Sequence, residues 1–166
     1  MKKLVFLLAP LFLHGADVST DRLVKEVRHE LVMLPYYNVF DDLSYRVDGS
    51  KVTLFGAVTQ PVLKSDAEKA VKRVEGVTQV DNQIEVLPLS PMDDGIRRAV
   101  YRAIFSRPGM EKYQLGAVPP IHIIVKNGNV KLVGVVDNEG DKNLAGISAN
   151  TVPGIFKVQN DLRVVK

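Results

Sequence analysis

Side chains able to do chemistry are few in this 166-residue chain, and most stand where structure alone accounts for them. There is no cysteine, which excludes a disulfide scaffold, a thiol nucleophile, cysteine-liganded zinc and a lipid anchor on an N-terminal cysteine. Of the three histidines, His14 sits in an apolar leader, His29 on the polar side of a helix, and His122 between core-facing Ile121 and Ile123 of a strand. They do not converge as metal ligands must. Asp137-Asn138-Glu139-Gly140-Asp141 has the oxygen density of a calcium loop, but Ser148 stands where that loop needs Glu, and such residues cap helices at strand-to-helix turns. Asp41-Asp42 and Asp93-Asp94 are adjacent pairs in turns or helix starts. Adjacency does not make an acid and a base facing one substrate, so they are expected to be solvated or capping. No nucleophile elbow, phosphate-binding loop or His-Glu-x-x-His helix is present. The reading is therefore of no catalytic residue, no metal, no cofactor and no enzyme.

What remains is positive charge beside aromatic rings. Arg97, Arg98, Arg102, Arg107 and Lys112 gather along one helix and its exit loop, with Tyr101, Phe105 and Tyr113 interleaved. Such a set suits an anionic bilayer, where each cation contributes roughly 1 kcal/mol near the surface and rings enter the headgroup region. The competing expectation is that Tyr101 and Phe105 pack against the other half of the protein while the arginines coat a solvated face. The chain carries 22 basic and 19 acidic residues, a net charge of +3, which falls to +1 once Lys2 and Lys3 leave with an export leader. With that near-neutral balance, export away from the usual targets, and no aromatic strand platform or Gly-x-x-Gly clamp, nucleic acid is not expected. The charge is unevenly spread: nine basic and twelve acidic residues over 17–88, eleven and seven over 89–166.

The elements that must position these groups follow from hydrophobic pattern. Met1-Lys2-Lys3 precedes an apolar run from Leu4 to Leu13, too short to span a bilayer as one helix. Residues 1–16 read as a signal peptide cleaved near Ala16, which implies export and, in a bacterium with two membranes, the periplasm. Setting the sequence against itself at an offset of 78 matches eleven of the 37 positions from 52 to 88, among them Val52, Leu54, Gly56, Val58, Gly76 and Asn82 with Val130, Leu132, Gly134, Val136, Gly154 and Asn160. Most are apolar or Gly and mark shared core positions and turns.

Each copy reads as helix, strand, strand, helix, strand. In the first, Leu23, Val27, Leu31 and Leu34 form a helical stripe ended by Pro35. Leu43, Tyr45 and Val47, then Val52, Leu54, Gly56 and Val58, alternate as two strands about a turn at Asp48-Gly49-Ser50-Lys51. Pro61 opens a second helix with the stripe Leu63, Ala67, Ala70, Val71 and Val74, and Val80, Ile84 and Val86 make a third strand. In the second copy Ser90-Pro91-Met92-Asp93 predicts an N-cap with a carboxylate reaching back, ahead of Ile96, Val100, Ala103 and Ile104. Asn127-Gly128 predicts a tight hairpin, a helix follows from about Glu139 to Val152, and a strand runs from Ile155 to Val165. The fold class is α+β: two tandem αββαβ modules over 17–88 and 89–166, each a three-stranded mixed sheet covered on one face by two helices.

Two such units, the Val-x-Leu-x-Gly-x-Val strand in both, and the tails Gly-Val-x-x-Val-x-Asn-x-Ile-x-Val at 76–86 and Gly-Ile-x-x-Val-x-Asn-x-Leu-x-Val at 154–164 resemble the BON-domain family, in its two-domain periplasmic, osmotically inducible form. The resemblance implies a binding module linked to phospholipid membranes or envelope proteins and to osmotic stress, with no catalytic residues to carry over. The second module departs from a compact unit by a longer loop, Glu111 to Pro120. The expected function is peripheral association with anionic phospholipid or the envelope surface through Arg97, Arg98, Tyr101, Arg102, Phe105, Arg107, Lys112 and Tyr113. The alternative is an assembly module contacting an envelope protein with Tyr113, Leu115 and Val118. Oligomeric state is left open by the sequence.

Overall fold

The computed structural model describes residues 16–116 and 118–165, so the expected export segment, 1–16, lies outside it apart from the backbone of Ala16. Leu23, Val27 and Leu31 do form the buried stripe of helix α1 (Ala16–Val32), which ends before Pro35 can break it. Strands β1 (Asp42–Asp48) and β2 (Lys51–Val58) make the antiparallel hairpin, with Leu43 opposite Gly56 and Val47 opposite Val52. Helix α2 (Pro61–Lys72) carries Pro61 in its first turn and buries Leu63, Ala67, Ala70 and Val71.

The third strand departs from the sequence reading. It is two pieces, β3 (Gln79–Asn82) and β4 (Glu85–Val86), both parallel to β2. The side chain of Asn82 causes the break: its Oδ1 accepts from the Ile84 N–H two residues on (3.2 Å), while its Nδ2 donates to the Lys64 carbonyl (2.9 Å). The strand is thereby turned aside and tied to α2.

The second module repeats the plan. Helix α3 (Pro91–Phe105) leads to a 3₁₀ turn (Glu111–Gln114) in the longer loop, then β5 (Ile121–Lys126) and β6 (Asn129–Val136). Helix α4 (Glu139–Asn150) crosses to β7 (Lys157–Asn160) and β8 (Arg163–Val164), again parallel to β6. Asn160 divides this strand as Asn82 does the first, bonding Lys142 O (2.7 Å) and Leu162 N (3.3 Å). Gly56 and Gly134 have a common reason. At φ of +109° and +121° they let the hairpin cross so closely that a Cβ would lie 2.2 Å from Asp42 O or 2.0 Å from Pro120 O.

Two helices cover one face of each sheet, giving two cores. One runs through Leu23, Val27, Leu54, Leu63 and Ile84, the other through Val100, Ile104, Ile123, Leu132 and Leu162. They are not separate bodies. Val39 and Phe40, on the approach to β1, pack into the second core, and the Val39 carbonyl accepts the Ile123 N–H of β5 (2.8 Å). The opposite sheet faces also meet, where Ala57 and Leu87 touch Ile124 with Val133 beside them. This is why β5 is buried on both faces from Ile121 to Val125.

Candidate functional site

The first turn of α3 is built by its sequence. Ser90 Oγ accepts the Asp93 N–H (3.2 Å) and Pro91 occupies the first helical position. The Asp93 carboxylate does not reach back to the cap as the sequence implied. It is fully buried and accepts the N–H groups of Asn127 and Gly128, 2.8 Å each, gripping the β5–β6 hairpin turn.

Beyond this turn the eight basic and aromatic positions divide. Arg97 falls on the stripe shared with Val100 and Ile104 and is 4% exposed; its guanidinium donates to the Val125 carbonyl (2.7 Å) and pairs with Asp94. Phe105 is buried. Tyr101 is half-buried, its ring 4.7 Å from Phe105 and edge-on to Phe40 at 6.2 Å, so both rings serve the junction with the first module. Tyr113 is buried under the longer loop. Its hydroxyl donates to Asp141 (2.6 Å) and accepts the Asp137 N–H (2.8 Å). Lys112 spans the carboxylates of Asp137 and Asp141, at 2.7 and 2.8 Å. Those hydrogen bonds, Asp137 first, hold its ammonium above the usual range, and Lys112 in turn holds the Asp141 carboxyl below its own. The would-be calcium loop is thus occupied by a lysine and by Asn138, which caps α4 by accepting from Asp141 N (2.9 Å).

The surface-binding expectation is therefore corrected for Arg97, Phe105 and Tyr113, which have no free surface, and for Tyr101, which is committed to internal packing. Arg98, Arg102 and Arg107 remain outward. Arg107 donates to Ser148 Oγ (3.2 Å); Arg98 and Arg102, one turn apart, are in no ion pair among the described residues. Other apolar groups of the second module, not singled out in the sequence reading, are exposed. Met92 on α3 and Ile147 on α4 are 53% and 63% exposed, and Phe156 is 77% exposed. Met92 and Phe156 both crowd Gly128, where an added Cβ would come within 3.4 and 2.7 Å of them. The signal was available: Met92 precedes the first stripe residue, and Phe156 replaces Thr78 of the first module.

Asp41 contradicts the solvated reading, and His122 is a second enclosed titratable group. Asp41 is fully buried and accepts from Thr59 N (2.7 Å), Thr59 Oγ1 (2.8 Å) and Asn38 N (3.2 Å); burial pushes its carboxyl up against those hydrogen bonds. His122 lies at the module junction, stacked on Tyr37 with centroids 5.4 Å apart, its Nδ1 buried without a partner. Burial lowers its pKa. No group of three or more metal-ligating side chains is assembled among the described residues. Nor is any described helix long and apolar enough to cross a membrane.

The model of the BON domain matches twice, over residues 19–88 and 93–166. The chain belongs to the BON-domain family. Osmotically-inducible protein Y of Escherichia coli K12 is 32% identical over 127 residues, covering 74% of this chain and 61% of that protein, so the match spans somewhat under two thirds of the relative. Among solved structures, CdsD, a structural protein of the type III secretion system of Chlamydia trachomatis, aligns over 87% of this chain and 92% of its own at 13% identity and a TM-score of 0.34. Its C-terminal domain aligns over 87% and 98%, also at 13%, with a TM-score of 0.30. In both BON modules the tail Asn does the work just described, tying strand to helix.

Proposed function

We propose that this BON-domain protein is an envelope-associated, non-enzymatic binding protein of the periplasm that attaches reversibly to anionic phospholipid through the outer face of α3. The observation that carries the reading is the pair Arg98 and Arg102, exposed on one helix face and unpaired among the described residues. Cations so placed keep their full attraction for a phosphate-rich surface, unlike Lys112, whose charge is met by Asp137 and Asp141. Shallow apolar insertion falls to Met92 and Phe156 rather than to the buried rings. The name of the Escherichia coli relative supports a role under osmotic stress.

Co-sedimentation with zwitterionic and anionic vesicles across a salt series tests this. Binding to anionic vesicles alone, weakened by salt and abolished by Arg98→Glu/Arg102→Glu, is the expected result. Equal sedimentation of the wild type and the double variant sinks it. A protein partner is the second reading, favoured by Leu115, 76% exposed on the longer loop above the anchored Tyr113. That surface would bind without the salt dependence.

A further inference from the structure

The faces of the two sheets that no helix covers converge, and beside their apolar contact they leave a cleft of about 290 Å³. Its floor is Ala57, Leu87 and Ile124. Strand pairing sets its walls. From the first module, Asp42, Ala57 and Glu85 form one row across β1, β2 and β4. From the second, Lys126, Asn129 and Lys157 form a row across β5, β6 and β7, with Ile124, Lys131 and Gln159 in the next. Carboxylates line one wall and ammonium groups the other.

Most of these charges are already matched. Lys126 pairs with Glu85 across the cleft, and Lys131 with Asp161 at 3.4 Å. Two are not. Among the described residues Lys157 is in no ion pair, and Asp42 is in none either: its carboxylate accepts from the Ser44 hydroxyl, at 2.7 Å, and its charge also bears on half-buried Tyr37 and buried His122. One unmatched cation and one unmatched anion thus flank an apolar floor in a space at the lower end of the size range for ligand sites. A solute carrying a single charge would satisfy one wall and leave the other facing an apolar stem.

We infer that the cleft between the modules is a binding site for a small zwitterion, with its carboxylate at Lys157, its ammonium at Asp42 and a short apolar stem over Ile124, Ala57 and Leu87. The site draws on both modules, so occupancy also fixes them relative to each other. It is separate from the α3 face and does not depend on the lipid reading.

The test is an NMR titration of the full chain with 6-aminohexanoate and 4-aminobutanoate, set against hexanoate, hexylammonium and hexanamide. One of the zwitterions is expected to bind about tenfold more tightly than any of the other three, since an additional partly desolvated charge contact is worth about a factor of ten. Its shifts should fall on the amides of Ala57, Ile124 and Lys157. Lys157→Gln, at an exposed position where folding is not at stake, should reduce the zwitterion to the affinity of hexylammonium; Asp42→Asn should reduce it to that of hexanoate. Arg98→Glu/Arg102→Glu should leave it unchanged, which separates this site from vesicle binding. Equal affinity for singly charged and zwitterionic probes, no binding by any of them, or a Lys157→Gln variant that binds as the wild type does, overturns the assignment.

Discussion

The two modules meet one backbone requirement by different chemistry. Where the hairpin's second strand turns into the following helix, the N–H of Thr59 in the first module and of Asp137 in the second, 78 positions apart, needs an acceptor. The first module supplies a buried carboxylate, Asp41, at 2.7 Å; the second supplies a neutral phenol, Tyr113, at 2.8 Å, from the residues inserted in its longer loop. A carboxylate inside must be desolvated and gathers three donors in compensation. A phenol carries its ring into the core, accepts the Asp137 N–H and donates to the Asp141 carboxylate, and the carboxylates of Asp137 and Asp141 pair with Lys112 at the surface. The repeat therefore preserves a geometry and not a residue: the same N–H is met by a buried carboxylate in one module and by a neutral hydroxyl in the other.

The comparison can be broken most forcefully at Asp41. Asp41→Ala strands the donors of Thr59 and Asn38 and should cost about 3 kcal/mol in denaturant unfolding, with Asp41→Asn recovering much of it. Amide exchange should quicken first in β1 and β2. Next is the hairpin turn. Asp93→Ala removes the acceptor of two N–H groups, that of Gly128 buried and that of Asn127 partly so, at about 2 kcal/mol, whereas Ser50→Ala at the first module's turn loses only a surface hydroxyl contact with Thr78 (2.7 Å) and should change stability little. Tyr113→Phe keeps the ring and loses the acceptor for Asp137, about 1 kcal/mol, with faster exchange confined to β5 and β6.

The smallest expected effect is a slope. His122 is held neutral by burial, below its ordinary 6.5, so the unfolded chain takes up the proton first as pH falls. Its contribution to stability is complete above 6.5 and is lost progressively below it, with the raised carboxyl of Asp41 acting in the opposite sense at still lower pH. Melting temperature followed downward from neutral pH should decline just below that point in the wild type. In His122→Phe, where a ring still faces Tyr37, the decline should be absent.

Periodicity made much of this legible. The stripes of α1, α2 and α3, the hairpins and the repeat stand where the apolar residues place them, except that Leu34 and Val74 fall just past the ends of α1 and α2. The broken third strands could have been read too, because Asn82 and Asn160 recur at the same place and Asn favours bonding its own backbone two residues on. Arg97 could have been excluded from the surface by its spacing from Val100 and Ile104. The fates of Tyr101 and Tyr113 could not, since they are decided by Phe40 and Asp141, distant in sequence and brought near only by the fold. The junction at His122 and the cleft are hidden for the same reason: both need two modules at once.

The interruption at Asn82 and Asn160 also governs how copies of this chain behave in a crowd. An outer strand presents free N–H and C=O groups that a neighbouring chain can use as a template for fibrous growth. Here that margin is cut into runs of four and two residues on both sheets, and on the far side of the second sheet Arg97 and Val39 already occupy the groups of Val125 and Ile123. A passing strand finds too short a ladder to climb along that margin, while β1 (Asp42–Asp48) remains the one unbroken outer strand of the first sheet among the described residues.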